Sequence, residues 1–165
     1  MKWLRRLGLA LAALLGAVLL VGLGARFSDG PLGPFPGGPL QAGAIVSESA
    51  VDWAFAESIE EMEFQLLDPP RSRTVWLLVH EGDLYVPCGL PSLRIWKWWP
   101  HEARRDGRAV LRIDGKLYPR QAVYVTDRAQ HRELSALLAE KYPVPAGYSG
   151  QDDLWFFRME PRSEP

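Results

Sequence analysis

The single cysteine, Cys88, follows Pro87 and precedes Gly89, at a strand end where an exposed thiol could serve as a nucleophile. No histidine or cation near it in the sequence would lower its pKa, so it is expected to stay protonated at neutral pH. One cysteine allows neither an intramolecular disulfide nor a thiolate cluster for zinc. His80, His101 and His131 lack the short spacings that put two ligands on one face, which points away from metal chemistry. Ser72 has no partners placed for a triad, and Glu60, Glu61 and Glu63 follow the pattern of a solvated face. The densest charged stretch is basic. Residues 94 to 116 hold Arg94, Lys97, Arg104, Arg105, Arg108, Arg112 and Lys116 against Glu102, Asp106 and Asp114. That region reads either as an anion site or as a hairpin with Arg112 and Lys116 facing solvent.

Positioning these groups falls to a modest chain of 165 residues. Residues 7 to 24 carry no charge, and Lys2, Arg5, Arg6 and Arg26 flank them. Eighteen helical residues at about 1.5 Å each nearly span a bilayer's hydrocarbon layer of roughly 30 Å. The run is longer than the apolar core of most signal peptides, although Gly22-Leu23-Gly24 could serve as a cleavage site. The expectation is a transmembrane anchor over residues 1–25, or an uncleaved signal. Lys2, Arg5 and Arg6 then lie in the cytoplasm, and the chain beyond the anchor lies outside a bacterial cell membrane, in the periplasm. Taking the four flanking bases from the chain's 19 leaves 15 against 20 acids, a net charge of -5. An acidic exported part argues against nucleic-acid binding.

Residues 26–44 are dense in Gly and Pro and should run as successive turns. They form either a tether or, through Leu32, Phe35 and Leu40, an ordered loop laid on the domain. Residues 45–165 then read mostly as strand. Met62, Phe64 and Leu66 alternate with polar neighbours, and residues 74 to 79 suit a strand buried on both faces. His80-Glu81-Gly82-Asp83 and Asp114-Gly115 mark hairpins. Leu154-Trp155-Phe156-Phe157 reads as a closing strand. Asp127 with Gln130 caps a helix ending near Lys141. A second helix is expected over residues 92 to 99, with Ser92 as cap and Pro100 as stop. Six or so strands with two helices favour a closed or nearly closed barrel, because closure removes bare edges.

The run from Arg71 through Gly89, with Thr74-Val75-Trp76-Leu77-Leu78-Val79 and Leu84-Tyr85-Val86-Pro87-Cys88-Gly89 within it, then Lys97 and Arg108 to Tyr118, resembles the pyridoxamine 5'-phosphate oxidase-like split β-barrel superfamily. It is more similar still to uncharacterised bacterial members with an N-terminal membrane segment. The resemblance implies a mainly β (α+β) fold: a six-stranded antiparallel split β-barrel with two helices, behind one transmembrane helix. It implies FMN or a related flavin or deazaflavin held across a homodimer interface. Arg73 and Lys97 would then sit on the phosphate, and Cys88 and Gly89 would line the ring. The activity implied is that of a flavin-dependent oxidoreductase-like protein. A phosphate wants two or more fixed cations, which these residues would supply. Around Lys97, however, Ile95-Trp96-Lys97-Trp98-Trp99 replaces the further polar ligands usual in flavin-binding members. Those tryptophans suit core, pocket wall or membrane interface. A non-catalytic envelope domain using them for partner or membrane contact is therefore the alternative reading.

Overall fold

The computed structural model describes residues 2–48, 50–93, 97–143 and 153–162. Its first element, α1 (Lys2–Ala25), is long and apolar enough to cross a membrane, and its apolar window is not covered by the rest of the chain. The remaining helices are α2 (Trp99–Arg105) and α3 (Arg128–Lys141). The strands are β1 (Ala44–Ile45), β2 (Glu61–Leu67), β3 (Pro70–Trp76), β4 (Leu78–His80), β5 (Asp83–Gly89), β6 (Arg108–Ile113), β7 (Lys116–Tyr124) and β8 (Leu154–Pro161). Seven of them form one hydrogen-bonded path in the order β3-β2-β6-β7-β8-β5-β4, and β1 adds in parallel to β7. The expectation of six strands is thus low among the described residues, because residues 74 to 79 divide and the Gly/Pro segment contributes β1.

That division organises the fold. β3 and β4 lie at opposite ends of the path yet are separated in sequence by Leu77 alone. The chain therefore passes from one end of the strand path to the other at this residue, but no ladder joins β3 to β4 and the sheet is open rather than a closed barrel. Residues 74 to 79 are not a strand buried on both faces: Thr74 and Trp76 are exposed, whereas Leu77 and Leu78 are buried. At the break, Leu77 has left one ladder without entering the next, and its backbone groups need other partners. Tyr142 supplies them. Its hydroxyl accepts from the Leu77 N–H at 3.3 Å and lies 2.8 Å from the Leu77 carbonyl and 2.6 Å from that of Glu60, either of which can take its proton. The Tyr142 ring stacks on Trp76 at 4.5 Å.

Two-residue periodicity sets the interior. Leu84, Val86 and Cys88 of β5 and Phe157 and Met159 of β8 point into the main core with Phe64, Leu66 and Leu111. Their neighbours Tyr85, Leu154 and Phe156 point the other way, under Leu134 and Leu138 of α3. Both hairpin turns adopt the conformation that their Gly residues signal. Glu81 and Gly82 have φ of 52° and 82°, and Asp114 and Gly115 have 49° and 72°, matching the twist of the flanking strands. Asp127 caps α3 by accepting from the Gln130 N–H at 2.8 Å. The other expected helix is displaced. It runs from Trp99 to Arg105 with Pro100 in its first turn, not its last. A proline costs nothing there because first-turn N–H groups have no helical partner. Arg94, Ile95 and Trp96 lie outside the described residues.

The Gly/Pro segment is an ordered loop laid on the sheet. Gly37 exchanges backbone hydrogen bonds with Ser72 of β3, at 2.9 and 3.2 Å, and the Ser72 hydroxyl donates to the Gly38 carbonyl at 2.6 Å. The Leu40 N–H donates to buried Gln65 at 2.7 Å. Arg112 does not face solvent. It bridges Glu63 and Asp29, contacting Asp29 at 2.9 Å, and donates to the Ala42 carbonyl at 3.2 Å. Asp29 also accepts from the N–H groups of Gln41 and Ala42 at 2.7 and 3.2 Å. The Gln41 hydrogen bond first, then those of Ala42 and Arg112, hold its carboxyl below the ordinary value of 3.8. A depressed folded pKa stabilises above the unfolded value and is lost as pH falls through the folded one. We therefore expect hydrogen exchange of residues 29–42 to stay slow, after correction for intrinsic rates, down to about pH 4 and to accelerate below it. Unchanged protection on further acidification would remove Asp29 from this role.

Candidate functional site

The chemistry-bearing residues converge on one pocket. Arg73 on β3, Cys88 and Gly89 at the end of β5, and Lys97 just before α2 all line an open pocket of about 760 Å³. The volume lies in the range of small-molecule sites. Each residue is there for a local reason. β3 carries Arg73 opposite Phe64 in the register with β2, and the chain after Gly89 turns back because Leu90 adopts a φ of 53°. Lys97 is brought over that turn by its backbone bond to the Leu93 carbonyl at 3.0 Å, and its ammonium donates to the Gly89 carbonyl. His101 Nε2 meets the Pro91 carbonyl at 2.8 Å. These contacts tie the segment to the pocket's edge.

The wall is largely aromatic and aliphatic. Trp99 lines it from the core side, where its ring meets Phe64 edge-on at 5.5 Å and Phe157 at 5.5 Å. Trp76 and Val75 line it from β3. The Arg73 guanidinium sits 5.7 Å from the Trp99 ring centroid, a cation–π arrangement. Burial lowers the Arg73 pKa to about 10, opposed by the nearby charge of Glu102. The group therefore remains a cation at neutral pH. Its Nε is buried with no hydrogen-bond partner among the described residues, a donor whose desolvation is uncompensated there. Glu61 is the acid on the wall. Among the described residues, two cations against one carboxylate give the pocket a positive balance in an otherwise acidic domain.

Cys88 is not the exposed thiol that its place at a strand end suggests. It is 3 % exposed, because β5 turns it into the core beside β8, where it pairs with Trp155. Burial pushes its pKa up to about 11, with Lys97 and Arg73 pulling the other way. At pH 8 the thiolate fraction should be about 100-fold below that of a thiol at the ordinary 9.0. We expect iodoacetamide to alkylate Cys88 in the folded chain at least that much more slowly than in urea. Equal rates would show that the thiol is open and ionised.

The basic stretch disperses. Arg104 lies over the rings of Tyr124 and Trp155 at 4.6 and 4.9 Å. Arg105 pairs with Asp68 and Arg108 with Asp106, and Arg112 clamps the loop. Among the described residues of that stretch, Lys97 is the base that lines the pocket; Arg94 lies outside them. Sequence reasoning missed two contributors. Gly33 and Pro34 of the loop form part of the rim, and only the apolar residues near them hinted at docking. Trp76 fits the pattern of a buried strand, yet it is 37 % exposed and faces the pocket. No family model, curated protein or solved structure matches the chain.

Proposed function

We propose that this chain is a membrane-anchored, split-barrel-type binding domain whose Arg73–Lys97 pocket holds the anionic group of a small ligand against an aromatic wall. The observation that carries this reading is the convergence of two cations, one with a buried Nε that has no partner among the described residues, on a pocket lined by Trp76 and Trp99. Lys2, Arg5 and Arg6 would remain in the cytoplasm, and the domain would stand in the periplasm. FMN or a deazaflavin, which the sequence resemblance implies, offers both required features, a phosphate and a planar ring. Arg73 and Lys97 would take the phosphate, and Cys88, Gly89 and Trp99 would border the ring. When bound, a flavin would supply electron and hydride transfer, giving an oxidoreductase-like protein. A second copy packed over the open side would complete the site as a homodimer.

The test is titration of the full-length chain, in neutral detergent, with FMN and with a deazaflavin, followed by flavin fluorescence. Binding should weaken about 10- to 100-fold in each of Arg73→Gln and Lys97→Gln, since each charge-assisted contact contributes about 1.5–3 kcal/mol. No uptake of either cofactor ends the flavin assignment. A second reading, a non-catalytic envelope domain, draws on Trp98. This residue is 60 % exposed beside Lys97 whereas Trp99 is buried, so the two adjacent tryptophans have separate roles. Loss of vesicle or partner binding in Trp98→Ala, with cofactor uptake absent, would favour it.

A further inference from the structure

One wall of the pocket lies next to the loop that packs on the apolar helix α1. The pocket rim includes Gly33 and Pro34, which sit in a tight turn where Leu32 and Phe35 exchange backbone hydrogen bonds, both 3.1 Å. The Phe35 ring packs on α1 so closely that a Cβ added at Gly22 would lie 3.3 Å from it. Gly22 is three residues short of the last helical residue, Ala25, or about 4.5 Å below the helix end at 1.5 Å per residue. Gly33 and Pro34, two and one residues from that contact, therefore stand near the level where an apolar span would meet the headgroups. The loop cannot swing the rim elsewhere without breaking its bonds to Ser72, Gln65 and Arg112. Phe27 and Leu32 are exposed on the same loop, at 91 % and 48 %. Phe and Leu are residue types found on the apolar face of segments that lie in the bilayer interface.

A site that combines interior cations, an apolar wall and a rim near the bilayer surface suits a ligand that is itself divided in this way. We infer that the pocket takes an anionic amphiphile from the membrane. Its phosphate head lies on Arg73 and Lys97, and its acyl chain passes Gly33 and Pro34 into the bilayer. This rests on the reading of the pocket as an anion site and names the source of the anion. A free phosphate compound such as FMN shares the head-group chemistry but has no use for a rim near the membrane.

The test uses the full-length chain in nanodiscs of phosphatidylcholine doped with phosphatidylglycerol, extracted into neutral detergent and weighed by native mass spectrometry. Wild type and Lys97→Arg should retain one phosphatidylglycerol per chain in preference to phosphatidylcholine. Lys97→Glu and Arg73→Gln should lose that preference by about tenfold or more, as expected for a charge-assisted contact. Lys97 lies at the pocket edge, half-buried, so Lys97→Glu is expected to fold despite losing the hydrogen bond to the Gly89 carbonyl, and it keeps the comparison valid if Arg73→Gln does not fold. Equal retention in wild type and Lys97→Glu, or no preference between the two lipids, overturns the inference. FMN added to the same samples separates the two ideas. If its uptake depends on Arg73 and Lys97 while lipid retention does not, the anion-site reading stands and the membrane source fails. If neither ligand depends on them, both fail.

Discussion

Tyr142→Phe is expected to destabilise the domain by about 2–3 kcal/mol, because one hydroxyl satisfies the backbone at the place where the chain passes from one end of the strand path to the other. In wild type, that oxygen accepts from the Leu77 N–H and sits within hydrogen-bond distance of the Leu77 and Glu60 carbonyls. The Leu77 carbonyl keeps a second partner, Lys141 Nζ at 3.2 Å, but the Leu77 N–H has no other partner among the described residues. Each buried group left unpaired costs about 1–3 kcal/mol, far more than the roughly 1 kcal/mol net value of the bond itself. Phenylalanine retains the ring stacked on Trp76, so the substitution isolates the hydroxyl. A denaturant melt reads the stability directly. The effect should extend to ligand affinity, since Thr74, Val75 and Trp76 line the pocket immediately before the break. A Tyr142→Phe variant within about 0.5 kcal/mol of wild type would mean that water reaches Leu77 and that the break is not sealed by this side chain.

What the sequence made readable was local. The Asp114-Gly115 turn, the Asp127 cap and the alternation around Phe64 are each encoded within a few residues, and each has the expected conformation. The division of residues 74 to 79 is encoded at a distance. Nothing in Thr74-Val75-Trp76-Leu77-Leu78-Val79 signals a break, because the partner that stabilises it, Tyr142, is 65 residues away in sequence. Pro100 misleads for a related reason. A proline ends a helix or begins one, and only the packing of Trp99 on Phe64 and Phe157 decides between them.

Of the candidate site residues, Cys88 and Gly89 stand at the end of β5, whereas Arg73 is in the middle of β3 and Lys97 lies just before α2. Arg73, Cys88, Gly89 and Lys97 are named as a site only through the resemblance, and they line one pocket. The electrostatics were not readable. A count of charges over residues 94 to 116 treats Arg112 and Lys97 alike, yet one is neutralised by Glu63 and Asp29 and the other faces an apolar wall. Cys88 defeats a local reading because a strand end is exposed in an open hairpin but buried where β8 lies alongside.

The Gly37→Ala substitution should separate the loop from the sheet, at a cost of about 3 kcal/mol or more, the upper end for overpacking a site that cannot yield. An added Cβ would lie 1.9 Å from the Gly30 carbonyl oxygen, 2.3 Å from its carbon and 2.7 Å from the Pro31 nitrogen. All three are backbone atoms, so no rotamer change relieves the overlap. Either residues 30 and 31 move, pulling Asp29 away from Arg112, or Gly37 withdraws from Ser72. Both routes free the segment that holds Gly33 and Pro34 at the pocket rim. Gly33→Ala is the matched control. Its φ of +55° is strained for alanine, but nothing lies within 4 Å of the added atom, so the cost should stay near 1–2 kcal/mol, with the clamp intact. In vesicles, trypsin should cut after Arg26 in Gly37→Ala much faster than in wild type or Gly33→Ala. Phosphatidylglycerol retention should fall with it, although Arg73 and Lys97 are untouched. If the clamp opens and the lipid stays, the rim is not on the ligand's path. If Gly37→Ala neither melts early nor opens to trypsin, the close packing of Gly37 against Gly30 does not hold the loop in place.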